Sequence, residues 1–195
     1  MFVFLAIFII FLLYINFLLH KNRRAQEDLE KAFWDREQAA NLTRRKDISN
    51  LNYLTITSEE IPSNLSTDAQ KALLALCGTD MINLSGMSNT DLKMEYGVAN
   101  LDTLSACDER FSLFQTNAAV YAQELADAGD VSAARSLLEL AVTHQADNSA
   151  VYTQLASLYQ AAGETEKIQH LKELAGQLPS LSQQIILSKL APFLP

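Results

Sequence analysis

Residues 124–141, ELADAGDVSAARSLLELA, and residues 158–175, LYQAAGETEKIQHLKELA, are one pattern written twice at a displacement of 34 positions. With Gly129-Asp130 laid over Gly163-Glu164, Leu125 falls on Tyr159, Ala128 on Ala162, Leu137 on Leu171, Leu140 on Leu174 and Ala141 on Ala175. One turn upstream, Tyr121 falls on Leu155. Apolar and small residues recur at three- and four-residue steps on both sides of each glycine, the period of a helix buried on one face. The glycine tolerates the positive φ required where the first helix of each pair stops. Asp130 then serves as N-cap of the next helix. Each copy therefore predicts an antiparallel helical hairpin in which small residues allow close approach and large ones fill the gaps.

A 34-residue period with this distribution resembles the tetratricopeptide repeat, a helix–turn–helix unit. Tyr152, Leu155, Ala156, Tyr159, Gly163 and Ala175 occupy that family's aromatic, leucine, small, tyrosine, glycine and alanine positions in the second copy. Tyr121, Ala122, Leu125, Gly129, Ala134, Leu138 and Ala141 do so in the first. The resemblance covers about residues 115–182. It implies a concave surface lined by the first helix of each hairpin, holding a peptide segment or a helix of another protein. Thr116, Ala119, Gln123 and Ala126, with Ala150, Thr153, Ser157 and Gln160, would face it. These eight are small or neutral. Family members that grip a C-terminal carboxylate use Lys, Arg and Asn at such positions, so the resemblance argues against that ligand. Two repeats make a short groove, which leaves binding across the repeat edge and self-association open. On the C-terminal side Ser180 and Gln183 form a capping box for a helix over 181–190. Its Leu181, Ile185 and Leu190, with the following Phe193, are expected to seal the last repeat as residues 115–195 close.

Upstream, residues 66–114 read as an irregular helical region. Thr67 and Gln70 form a capping box ahead of an apolar run that Gly78 stops. A second start lies at Ser88–Asp91, and a longer helical stretch covers roughly residues 99–115. The amides and hydroxyls of residues 81–91 suit turns and caps better than a ligand loop. Residues 47–65 lose the helical period and alternate around Tyr53–Thr57, as an extended linker or a short docked strand.

The amino end differs in kind. Residues 1–19 are apolar except for Asn16, and as a helix they would rise about 28 Å, close to the roughly 30 Å of a bilayer's hydrocarbon core. No basic n-region precedes this run and no small-residue cleavage site ends it, which argues against a signal peptide. A transmembrane helix is the expectation, with the lipid bilayer as partner of residues 1–19. Lys21, Arg23 and Arg24 place the following side in the cytoplasm and the amino end outside, a single-pass protein of the cell membrane. Residues 20–46 continue as a charged helix with a thin apolar stripe, suited to a stalk, a weak helix-pairing face or a surface helix. Arg44, Arg45 and Lys46 suit its C-terminal end.

Charge divides at the same boundary. Residues 1–46 carry eight Lys/Arg against five Asp/Glu, and residues 47–195 carry seven against eighteen, balances of +3 and −11 that sum to the overall −8. A body this acidic lacks the basic face that nucleic acid needs and suits a basic partner. No phosphate loop, H-E-x-x-H or G-x-S-x-G occurs, the histidines are scattered, and Cys77 and Cys107 are far apart. No catalytic, cofactor-binding or metal-binding residue is therefore assigned. The expected fold is all-α, and the expected function is a membrane-anchored, non-catalytic scaffold or adaptor. The alternatives are an extracytoplasmic envelope-assembly factor of reversed topology, and an enzyme with its site in 66–114.

Overall fold

A computed structural model describes residues 2–193, and they form an all-helical protein. The helices are α1 (Phe2–Asn41), α2 (Asp68–Leu76), α3 (Asn89–Tyr96), α4 (Leu101–Asp127), α5 (Val131–Thr143), α6 (Ser149–Ala161), α7 (Thr165–Ala175) and α8 (Gln183–Leu190), with 3-10 turns at Val98–Asn100 and Ala191–Phe193. The chain divides into two compact units. One joins the chain up to Lys46 with Asn89–Asn100, and the other contains Asp47–Ser88 and everything from Leu101 onward.

In the first unit, the expectation of a transmembrane helix over 1–19 is overturned. Among the described residues no helix is long and apolar enough to cross a membrane. The apolar run is the front of one continuous helix whose second half is charged. The single-pass membrane assignment and the topology built on it lose their support.

The far end of α1 packs on α3, burying Ala40 and Leu92. Arg36 pairs with Asp91, and Glu37 accepts from Lys93 and from the Thr90 hydroxyl. Those two bonds hold the Glu37 carboxyl below its ordinary range. The basic cluster follows the helix end instead of belonging to it, because α1 stops at Asn41. The Lys46 amide donates to Tyr96 O at 3.0 Å, and the buried Asn100 amide donates to Lys46 O at 2.8 Å and to Tyr96 O at 2.7 Å while accepting from Arg45 Nε at 3.1 Å. Both N–H donors and the carbonyl oxygen of that amide have a partner, so burying it leaves no polar atom unpaired.

In the second unit, helices pack as neighbours in chain order, α2 on α4, α4 on α5, α5 on α6 and α6 on α7, with α8 against both α6 and α7. The two hairpins repeat each other bond for bond. Gly129 N donates to Ala126 O at 3.0 Å and Asp130 N to Leu125 O at 2.9 Å. Displaced by 34 positions, Gly163 N donates to Gln160 O at 3.0 Å and Glu164 N to Tyr159 O at 2.9 Å. Both glycines have positive φ, 87° and 74°. The superposed core pairs agree in burial as well, with Tyr121 and Leu155, Leu125 and Tyr159, Leu137 and Leu171, and Ala141 and Ala175 all buried.

Several local expectations change in detail. Thr67 caps α2, accepting from Gln70 N at 3.2 Å, but the Gln70 side chain turns away to Pro62 O at 3.0 Å, so only half of the capping box forms. Residues 53–57 make a single antiparallel bridge, Leu54 with Met81, and the alternation sends Leu54 and Ile56 inward. Nothing in Gln115-Thr116 breaks a helix, and α4 runs straight through the boundary expected at 114. The last helix starts at Gln183, later than expected, because Ser180 Oγ caps Ser182 N at 3.2 Å instead of opening the helix itself. Its buried face is therefore Ile186 and Leu190, while Leu181 and Ile185 are exposed. A shift of one residue turns a helix by about 100°, which is enough to exchange Ile185 for Ile186.

A Cβ built on Gly129 or Gly163 meets nothing within 4 Å, so their replacement carries only the cost of a left-handed backbone. Gly163→Ala and Gly129→Ala should each lower unfolding stability by about 1–2 kcal/mol, read as a lower urea midpoint at unchanged m-value.

Candidate functional site

Helices α4 and α6, the first helices of the two hairpins, stand side by side over α5 and leave an open cleft of about 250 Å3. Its floor is Ala122, Ala126, Leu138 and Leu158, and its polar lining is Gln123, Thr153, Gln154 and Ser157. Helical stepping brings these together: 122 and 126 are one turn apart on α4, as are 153 and 157, and 154 and 158, on α6. Small residues on α4 keep the cleft open; two leucines make it apolar below.

Four of the eight residues expected from the sequence converge here, Gln123, Ala126, Thr153 and Ser157. Ala119 does not, being buried in the core, and Ala150 packs against the core from its edge. Thr116 and Gln160 are exposed but do not line the cleft. The sequence reading missed Ala122, Leu138, Gln154 and Leu158. Gln154 neighbours Thr153 and lies one turn before Leu158, so extending the face by one column of the helix would have found two of them.

The polar groups are not equivalent. Gln123 Nε2 donates to Asp127 Oδ1 at 2.8 Å, and the Thr153 hydroxyl turns back to Ser149 O at 3.0 Å. Gln154 Oε1 is buried with no hydrogen-bond partner. An unpaired buried carbonyl oxygen costs roughly 1–3 kcal/mol.

A second depression of about 340 Å3 lies between α5, α6 and α7, with Val142, Leu155, Leu171 and Leu174 beneath Glu139, Tyr159, Lys167 and His170. Its charged rim is closed on itself. Arg135 donates to Glu139 at 2.9 Å and to Glu164 at 3.0 Å, the Tyr159 hydroxyl donates to Glu139 at 2.8 Å, and Lys167 pairs with Glu164 at 2.9 Å. The Arg135 guanidinium also lies 5.0 Å from the Tyr159 ring centroid. Partial burial pushes the Glu139 carboxyl up, but the bonds from Arg135 and Tyr159 outweigh it and hold it below its ordinary range. Pairing with Lys167 and then Arg135 lowers Glu164 likewise. Burial, then the bond to Glu139, pushes the Tyr159 phenol up. These groups pair with one another and connect the two hairpins.

Chemistry-bearing residues elsewhere are accounted for by packing. Among the described residues no three His, Cys, Asp or Glu gather as a metal site would require. Cys77 and Cys107 are free thiols, and burial pushes Cys77 up, away from the reactive thiolate. The polar run 81–91 is spent on turns and packing: Asn83 accepts from Ser85 N and donates to Gln145 O, both at 2.9 Å. His144 caps α5, its N–H bonded to Leu140 O at 3.1 Å, and its ring stands edge-on to Phe114 at 6.4 Å.

Burial holds His144 below its ordinary pKa of 6.5. The unfolded chain therefore takes up a proton before the folded one, and stability present above that value is lost as pH falls through the lowered folded pKa. Urea midpoints of the wild type should decline as pH falls below 6.5, and His144→Asn should flatten that part of the profile; an unchanged profile places the titrating group elsewhere. No protein family, curated protein or solved structure matches this chain.

Proposed function

We propose that the chain is a non-catalytic interaction module whose α4–α6 cleft receives a donor-bearing peptide segment or helix of another protein. The observation that carries this reading is Gln154 Oε1, buried and unpaired in an open apolar cleft where four residues picked from the sequence converge. A backbone or side-chain N–H of the partner would complete that oxygen. Ala122, Ala126, Leu138 and Leu158 would accept a small apolar side chain next to it. The cleft lining holds no titratable group, which suits holding better than proton transfer. Residues 47–195, at −11, favour a basic partner, whose approach would be steered by charge and weakened by salt. The tetratricopeptide-like arrangement of the hairpins supports the same use, because such repeats present their first helices to partners.

A photo-crosslinker at position 123 identifies the partner, and titration of that partner then reads the cleft. Ser157→Arg should fill it and weaken binding at least about tenfold, ~1.4 kcal/mol, with the thermal midpoint little changed, since Ser157 is exposed. Undiminished affinity in a folded Ser157→Arg variant would show that the partner binds another surface.

A further inference from the structure

We propose that α1 pairs in parallel with α1 of a second copy of this chain. Phe4, Phe8, Phe11, Ile15 and Leu18 follow one another at alternating steps of four and three along a single continuous helix. The same alternation runs on through Asn22 to Leu29 and Ala32, at the far side of the charge boundary. This is the heptad seam of a coiled coil. The apolar front of the helix would fit many registers, but the charged half fits one, because Leu29 and Ala32 are among its few apolar residues.

The seam is uncovered. Phe4, Phe8, Phe11 and Leu29 are 79%, 57%, 55% and 73% exposed, while α1 meets α3 in its last turns, where Arg36, Glu37 and Ala40 lie. Aromatic side chains bury roughly 150–250 Å2 each, so the exposed parts of the three phenylalanines supply on the order of 400 Å2. Ile15, Leu29 and the flanking Tyr14 and Phe33, the last two also exposed, bring one copy near the roughly 800 Å2 per partner that a specific interface buries.

Asn22 chooses the orientation. In a parallel, in-register pair its amide meets its counterpart and the two hydrogen-bond each other, the arrangement by which a single polar seam residue fixes register. Turned antiparallel about the seam's midpoint, Asn22 would face the apolar front of the other helix and lose its partners. The flanking positions agree with the parallel form, since they set Lys21 beside Gln26 and Asp28 beside Phe33 of the other copy, with no like charges opposed.

Cysteine scanning of the full chain separates this pairing from unspecific adhesion of apolar helices. Leu29→Cys, in the seam, should form a disulfide-linked dimer under mild oxidation several-fold faster than Glu27→Cys, which points away from it. Sedimentation equilibrium of the wild-type chain should show at least a dimer at micromolar concentration. A monomer mass, or equal crosslinking at 27 and 29, overturns the proposal.

Discussion

A helical hairpin cannot cover its own apolar stripe, and everything in the second unit follows from supplying it with neighbours. Alanines at 118, 122, 134, 141, 156 and 175 are at most 1% exposed. They let successive helices approach until Phe114, Tyr121, Leu125, Leu137, Tyr152 and Leu155 interlock between them. Enlarging any of those alanines would force the helices apart, at a cost of about 1–3 kcal/mol in a packed core. The same small side chains that close the core leave α4 thin on its other face, and the α4–α6 cleft is the space they do not fill.

Electrostatics refines this packing more than it supplies it. The Arg135 cluster joins α5 to the end of α6 and the start of α7, and its partners remain partly exposed. Ion pairs in that setting stabilise by well under 1 kcal/mol each on average. Their greater effect is on orientation: Tyr159 is fixed from its hydroxyl by Glu139 and on its face by Arg135, so the second hairpin has one angle at which both contacts are made.

The hairpin bends were legible to the residue, because a left-handed position uses few amino acids, and in the first hairpin Asp130 follows as N-cap. Half of the cleft was legible for the same reason, since Gln123, Ala126, Thr153 and Ser157 follow from the period once the bends are placed. Gln154 was not, because sequence assigns a glutamine to solvent, and only packing shows that its oxygen is buried. The register of α8 failed by one residue, as serines at 180 and 182 offered two plausible starts and the choice depends on how the preceding turn is bonded. The apolar front of α1 misled most. The continuation of the helix into the charged residues was expected and runs to Asn41; what composition alone suggested wrongly was that its apolar front is long and apolar enough to cross a membrane.

The superposed pair Tyr121 and Leu155 holds one more consequence. Both are buried, but the Tyr121 hydroxyl donates to Pro62 O at 2.7 Å, and Gln70 reaches the same carbonyl at 3.0 Å. Residues 62–65 thus lie against the first hairpin beside α2, held by a hydroxyl that the second hairpin's leucine does not possess. Lengthening the array by inserting a further copy ahead of Tyr121 would first have to evict that clasp.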